Sequence, residues 1–472
     1  MAEGRLRILQ VGTADLGGGA ESVAWALFQA YRRLGHGSWL AVGWKHSEEP
    51  GVSAIPNRER RRSGWAWASR TLGQSLGPLA PHWRAAARAR HVLERIAEPR
   101  QLGDWLRGRE DFHFPGTQVV LDLPPERPDI LHAHNLHGRY FDLRALPWLG
   151  DQVPIVLTLH DMWSFTGHCA HSFGCERWRQ GCGHCPDLTI YPAIRRDATA
   201  ENWIRKRDIY ARSRLRVATP SRWLLEKVKD SMLAPAIVEA RVIPNGVDLE
   251  VFRPGDRAAT RRALGLPAEA AVVLSVAFEL SVNPWKDYAT LRRAVALLAG
   301  RLKGRSLCFV NLGDPRPAET IPGVEVRFVP PRRDPAEVAR YFQAADLYLH
   351  AARAETFPNT VIEALACGTP VVATAVGGVV EQVEGWADGG GEPERNVHGS
   401  SEATGVLVAP GDAEAMAEAA FRLLDRRDCI QQLGANAAWE ARRRFDLAAQ
   451  VQTYLAWYAE ILAPASAARA GL

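Results

Sequence analysis

The sequence predicts an α/β protein built from two parallel-sheet arrays. Three observations carry this. Short strand-like apolar runs alternate with helical stretches. The alternation restarts once, after Asn245-Gly246-Val247-Asp248. The length of 472 residues is that of two or three domains. In the first array a buried strand over Arg5–Val11 leads into Gly17-Gly18-Gly19 and a helix over Glu21–Leu34. Further strands are predicted near Ser38–Val42, Ile130–His132, Ile155–Leu159, Val217–Ala218 and Val242–Ile243. In the second array strands are predicted at Val272–Val276, Leu307–Asn311, Val324–Phe328, Leu347–His350, Pro370–Ala373 and Val406–Val408. Tyr288–Leu302 and Pro335–Ala345 are two of the helices between them, and a last helix is predicted over Leu447–Ile461. The domains are therefore expected at 1–247 and 248–445, with 446–472 as the closing helix.

Composition narrows the function classes. Apolar residues are 47% and charged residues 24% of the chain, as in ordinary globular proteins. The net charge of +5 is weak for a nucleic-acid partner, and none is expected. No apolar run approaches the ~18 residues of a membrane span. The N-terminus passes straight into the first strand, so a cytoplasmic, reducing location is expected.

One stretch interrupts the alternation. Residues 58–109 hold twelve Arg and four acidic residues, with Trp65, Trp67, Trp83 and Trp105 interleaved and a helix predicted around Trp83–Ile96. It reads as a surface helical insertion over about 56–110, or as a basic face toward the inner surface of a membrane or an anionic acceptor.

Four of the seven cysteines lie within 17 residues: Cys169, Cys175, Cys182 and Cys185, in a loop over 168–186. Four thiols ending in Cys-x2-Cys can close a tetrahedral zinc site. His168, His171 and His184 are substitutes for one thiol. Disulfides and unliganded thiols are the other readings. Cys308, Cys367 and Cys429 sit in apolar runs and read as packing residues.

The segment from Ala354 to Ala373 carries the chemistry. Glu355 follows a strand, Pro358 suits a first helical turn, and Gly368 suits a C-cap, which puts Glu363 about one and a half turns inside the helix. A helix N-terminus offers N–H groups to an anion, and neighbouring carboxylates accept hydrogen bonds from sugar hydroxyls. Spacing alone leaves two ordinary surface glutamates as an equal reading.

Here the residues resemble a family. Glu355 and Glu363 match the E-x7-E signature of retaining glycosyltransferases of family 4. LRILQVGTADLGGGAE resembles that family's opening strand and glycine loop. PDILHAHNLHGRYFDLRAL and VLTLHDMWSFTGHCAHS resemble the cleft strands of its bacterial polysaccharide-biosynthesis members. ATPSRWLLEKV, VIPNGVDLEVFRP and NPWKDY follow in the family's order. The resemblance implies the GT-B fold: two Rossmann-like domains facing across a cleft, with the C-terminal helix crossing back to the N-terminal domain. It implies transfer of a sugar, with retention, from a nucleotide-diphosphate sugar to a glycan or lipid-linked acceptor in exopolysaccharide, O-antigen or glycolipid assembly. Glu355 would bind sugar hydroxyls and Glu363 the ribose. Backbone N–H groups over Phe357, Pro358, Asn359 and Thr360 would hold sugar and phosphate, and Lys286 would neutralise the departing diphosphate. Gly18 and Gly19 would let the first loop approach the donor. His160 would contact the reacting sugar, and His134 and Asn135 would line the cleft.

There is one departure. Many members carry an arginine soon after the first strand of the second domain, and none stands between Val276 and Lys286. Either Arg353 or an arginine elsewhere supplies the second charge, or Lys286 acts with helix dipoles alone. No Asp-x-Asp triplet occurs, which fits a reaction without a catalytic metal. Two rivals remain: a nucleotide-sugar 2-epimerase of the same fold, and a zinc-stabilised nucleic-acid adaptor built on Cys169–Cys185 and the Arg-rich stretch.

Overall fold

The computed structural model describes residues 4–57, 71–72, 75, 99–317, 319–386, 397–398 and 402–463. The helix expected at Trp83–Ile96 and most of the Arg-rich stretch lie outside them. The chain forms two compact units. The first holds Met1–Thr219, Leu225–Arg241 and Ala456–Leu472, and the second holds Pro220–Leu224 and Val242–Leu455.

The first unit is a seven-stranded sheet of β1 (Arg7–Ala14), β2 (Gly37–Trp44), β3 (Val52–Ala54), β4 (Ile130–His134), β5 (Ile155–Thr158), β6 (Leu215–Thr219) and β7 (Ile237–Val242), in the order β3-β2-β1-β4-β5-β6-β7. β3 through β6 pair in parallel. The order reverses between β1 and β4, the point where loops at the carboxyl ends diverge and leave a crevice. β4 and β5 are buried along their whole length, which explains their apolar character. They nevertheless carry His132, His134 and Thr158 inside. Helix Leu447–Leu462 ends in this unit, as expected. Its Tyr458 hydroxyl lies 2.7 Å from His132 Nδ1 and 3.2 Å from the Tyr31 hydroxyl. Of the Arg-rich stretch, helix Pro99–Arg107 is described, and Arg195 stacks 4.8 Å from the Trp105 ring.

The second unit is an eight-stranded sheet of β8 (Ala271–Val276), β9 (Leu307–Leu312), β10 (Val324–Val329), β11 (Leu347–His350), β12 (Val371–Thr374), β13 (Gly385–Trp386), β14 (Val397–His398) and β15 (Gly405–Val408). Their order is β10-β9-β8-β11-β12-β15-β13-β14. Alternate residues of β8 feed two apolar layers. Val272 and Leu274 pack with Phe342, Val361 and Leu365, while Ala271 and Val273 pack with Leu291, Val295 and Met416. Helices thus cover both faces, and the strands read as near-continuous apolar runs. Asp256, Asp287, Asp334 and Asp412 each cap a helix by accepting a backbone N–H, which fixes where those four helices begin. The sequence missed β3, β13 and β14, which have only two or three residues each. It also placed the strand at Val242–Ile243 late, since β7 ends at Val242.

Candidate functional site

In the second unit the order reverses between β8 and β11, and the two loops leaving these strands carry Lys286 and Glu355. The loops are stitched together by backbone. Arg353 N–H donates to the Trp285 carbonyl at 2.9 Å, Asp287 N–H to Ala351 at 3.1 Å, and Lys286 forms an isolated bridge with Ala352. Asp287 then caps helix Tyr288–Arg301 through Thr290. Lys286 is thereby held one residue before a cap, and its ammonium pairs with the Glu355 carboxylate.

Glu355 has a second partner, His350 Nε2 at 3.1 Å. A carboxylate only accepts, so Nε2 carries the proton. The Tyr348 hydroxyl lies 2.9 Å from both His350 Nδ1 and Thr360 Oγ1. This tier ties the end of β11 to the start of helix Asn359–Ala366. Burial alone would raise the Glu355 pKa. The Lys286 charge and the His350 hydrogen bond outweigh burial and bring it down to about 2.

Glu363 is the opposite case. It is half-buried on the same helix, and among the described residues its carboxylate has no hydrogen-bond or ion-pair partner. Burial pushes it up to about 7. Two carboxylates eight positions apart are thus held with their titrations far apart, which is typical of sites that assign them different tasks.

Helix Asn359–Ala366 has Pro358 at its N-cap, and no side-chain capping hydrogen bond is made there. Pro358 has no N–H, so the N–H groups expected over Phe357–Thr360 come from three residues rather than four. Phe357 is 7% exposed and packs edge-on to Phe445. Beneath Glu355 runs Gly377-Gly378. A Cβ on Gly377 would stand 1.7 Å from the Glu355 carbonyl oxygen, and one on Gly378 2.1 Å from that of Thr356. Gly377 also has φ +53°, which side chains disfavour. The Arg353 guanidinium is half-exposed and lies 3.7 Å from Asp287.

In the first unit the residues singled out at the carboxyl ends of β4 and β5 come together. His134 Nδ1 lies 3.0 Å from His160 Nε2, and His134 Nε2 lies 2.9 Å from Gln10 Oε1. The His160 N–H donates to Asn135 Oδ1 at 3.2 Å. Burial holds His134 well below the ordinary value and His160 at about 4, so this pair is neutral at physiological pH. Beside it, His137 Nε2 pairs with Asp161 at 2.6 Å. Burial would lower His137, but the Asp161 charge outweighs it and raises its pKa. Gly18 is the N-cap of helix Gly19–Arg33. The Glu21 carboxyl lies where a Gly18 side chain would go, within 2.4 Å of a Cβ built there, so the N-terminus meets its own third residue first.

Sequence reasoning missed His350, Tyr348, Gly377, Gly378 and the His137–Asp161 pair. His350 had a signal, a polar residue ending an otherwise apolar strand. The glycines had none, because what they accommodate lies over twenty residues away in sequence.

Comparison with known proteins adds the lineage. The profile of "Glycosyltransferase Family 4" matches residues 17–251, and that of "Glycosyl transferases group 1" matches residues 272–426. A D-inositol 3-phosphate glycosyltransferase of Thermobispora bispora is 32% identical over 369 residues, covering 74% of this chain and 73% of the relative. An Escherichia coli K12 protein, provisionally named colanic acid biosynthesis glycosyl transferase WcaC, is 27% identical over 259 residues, covering 52% of this chain and 60% of its own. Among solved structures, Anabaena HepE in complex with UDP-glucose aligns with a TM-score of 0.60 at 18% identity, covering 97% of this chain and 99% of that one. WaaG, a glycosyltransferase involved in lipopolysaccharide biosynthesis, aligns with a TM-score of 0.56 at 15% identity, covering 95% and 98%. These two likenesses bear on the fold, two Rossmann-like parallel-sheet domains of the GT-B class, and the profile and the Thermobispora relative bear on descent: the chain belongs to glycosyltransferase family 4.

Proposed function

We propose that this glycosyltransferase moves a sugar, with retention, from a nucleotide-diphosphate sugar to a glycan or lipid-linked acceptor in exopolysaccharide, O-antigen or glycolipid assembly. The observation that carries the reading is the Lys286–Glu355 pair, built where the second sheet reverses and beside a helix start without a side-chain cap. Glu355, ionised throughout the physiological range, accepts hydrogen bonds from donor-sugar hydroxyls. Glu363 accepts from the ribose. Lys286 exchanges Glu355 for the diphosphate and, with the N–H groups of Phe357, Asn359 and Thr360, balances its charge as the bond to the anomeric carbon breaks. The departing phosphate oxygen takes the proton of the acceptor hydroxyl as that oxygen bonds to the anomeric carbon on the same face. No step calls for a metal ion. On the first unit the neutral His160, steadied by His134, is assigned to the reacting sugar.

The names of the relatives support this reading. HepE was solved with UDP-glucose, and WcaC is named for colanic acid biosynthesis. All seven cysteines are unpaired, which fits a cytoplasmic site of action, and the Arg/Trp-rich stretch is assigned to peripheral contact with the inner membrane face. Among the described residues no helix is long and apolar enough to cross a membrane.

The test is a thermal-shift panel of nucleotide-sugars, followed by NMR of the product formed with oligosaccharide and lipid-linked acceptors. One donor should raise the melting temperature, because a ligand bound to the native state stabilises it by mass action. The new glycosidic bond should keep the donor's anomeric configuration. Inversion would overturn the mechanism, and epimerised donor without an acceptor would overturn the reaction.

A further inference from the structure

The segment between β5 and helix Thr199–Tyr210 is long and has little regular structure. It contains only two three-residue helical turns, Trp163–Phe165 and Arg177–Arg179. Long irregular segments in compact units need some other source of order. Part of it is a buried aromatic contact, Phe165 against Trp178 with ring centroids 5.4 Å apart. Part is Lys206, fully buried on helix Thr199–Tyr210, which pairs with Glu110 and donates to the Trp163 and Thr166 carbonyls.

The remainder of the segment closes round a cavity. Cys169, Cys175, Cys182 and Cys185 all line it, and so does His168. The backbone is shaped for this. Gly181, Cys182, Gly183 and His184 have φ of 129°, 54°, 87° and 49°, so two non-glycine residues sit in the left-handed region within one tight run. That run is pinned from outside by Gly183 N–H to Thr199 Oγ1 at 2.9 Å and Cys185 N–H to Asp197 at 2.8 Å. His168 presents one nitrogen to each side. Nδ1 lies 3.1 Å from the Pro192 carbonyl and Nε2 lies 3.4 Å from Cys185 Sγ. A carbonyl only accepts, so the proton sits on Nδ1 and the Nε2 lone pair faces the thiols. A histidine anchored through its far nitrogen to a carbonyl is the usual arrangement of a metal ligand.

We propose that this cavity is a structural zinc site, the ion being held by four of five donors: the four cysteine thiolates and His168 Nε2. Soft thiolates with one imidazole select zinc over hard cations. Four protein donors leave no open position, so the ion is structural and takes no part in transfer. The donors ring the cavity rather than converge. Among the described residues only Asp104, Asp111 and His113 bring three donor atoms within 4.8 Å of one another. Binding therefore draws the thiols inward and releases their protons. The ion would also fix what lies next to it. Thr166 Oγ1 donates to the Cys169 carbonyl, Met162 N–H to the Ala170 carbonyl, and Ala170 N–H to the Tyr191 carbonyl at 2.6, 2.8 and 2.7 Å. Met162 follows Asp161, and the Tyr191 hydroxyl lies 3.4 Å from His137 Nδ1.

The experiment is metal analysis of the full chain, purified under reducing conditions without chelator and then given excess zinc and desalted. One zinc per chain is expected. Cobalt(II) in its place should give thiolate charge-transfer absorption. The double variant Cys182→Ser/His168→Gln, which leaves three of the five donors, is read alongside by the same assay and should fall below half occupancy. These readouts do not depend on catalysis, so they stand or fall apart from the proposed reaction. Zinc-free wild-type protein after reconstitution would overturn the proposal. So would a mass lowered by intramolecular disulfides in the reducing preparation, or full occupancy in the double variant.

Discussion

Replacing Lys286 by alanine tests the centre of the proposed donor site in two independent ways. The Glu355 carboxyl titrates at about 2 against an ordinary 4.5, although burial works in the other direction. At about 1.4 kcal/mol per pH unit, that gap corresponds to about 3 kcal/mol of favourable interaction with its neighbours. The Lys286 charge is the largest single one of those contributions, ahead of the His350 hydrogen bond. Both side chains of the pair are largely buried, at 15% and 13% exposure, so water replaces little of what is lost. Lys286→Ala should therefore cost up to about 3 kcal/mol, the size expected when one partner leaves a buried pair. For a unit of this size that is roughly 6–12 °C in melting temperature. Glu355→Gln should cost less, because the flexible lysine stem can turn its ammonium to water. The double variant should melt close to Glu355→Gln alone, giving a coupling energy of about 1–3 kcal/mol. Turnover of Lys286→Ala should fall about 10²–10³-fold, the usual effect of removing one preorganised charge. Lys286→Arg should recover only part of it. Thermal melts and initial rates on wild type and the four variants read both effects. If Lys286→Ala and the double variant both melt with wild type, the pair does not exist in solution. If Lys286→Ala stays within about threefold in rate, another cation balances the diphosphate, and Arg353 is the first to replace.

Three further outcomes follow from the geometry. Glu363 has its folded pKa raised to about 7 by burial, so stability falls as pH rises from 4.5 toward 7. Glu363→Gln should then raise the melting temperature at pH 8 and leave it unchanged at pH 4, and an equal shift at both values would sink the assignment. Gly377→Ala forces a Cβ into the Glu355 carbonyl at a left-handed φ, so it should displace Glu355 and weaken nucleotide-sugar binding at least ~10-fold by calorimetry. Wild-type affinity would show that this backbone can give way. His137 has its folded pKa raised by Asp161, so its contribution is complete below 6.5 and is lost as pH rises through the higher folded value. The fall in melting temperature between pH 6.5 and 9 should be shallower in His137→Gln, and identical slopes would mean that the pair contributes nothing.

The sheets were legible because parallel strands covered on both faces are written as apolar runs, as in Val272–Leu274 and Val371–Ala373. The short edge strands were not, since two or three residues carry no period. Lys286, Glu355 and Glu363 were reached through their resemblance to a known pattern, while their spacing alone left the question even. What makes Glu355 what it is lies elsewhere. His350 and Tyr348 act through a strand end five or more residues upstream, and Gly377 acts through a backbone approach only folding brings about. Such contacts depend on which loops leave neighbouring strands, which no local pattern encodes. The missing arginine after β8 was legible as an absence. That Arg353 faces Asp287 was not.

The division of the chain at residue 456 bears on protein engineering. The first unit is not one stretch of sequence, since its His132 is hydrogen-bonded to Tyr458, 326 residues further along the chain. Chimeras that graft the first unit of one family member onto another have to be spliced at both ends. A single crossover near 241 would join His132 and Tyr31 to a foreign terminal helix, leaving two buried polar groups to find new partners. Libraries that recombine such enzymes should treat 1–241 and the segment from Ala456 onward as one inherited block.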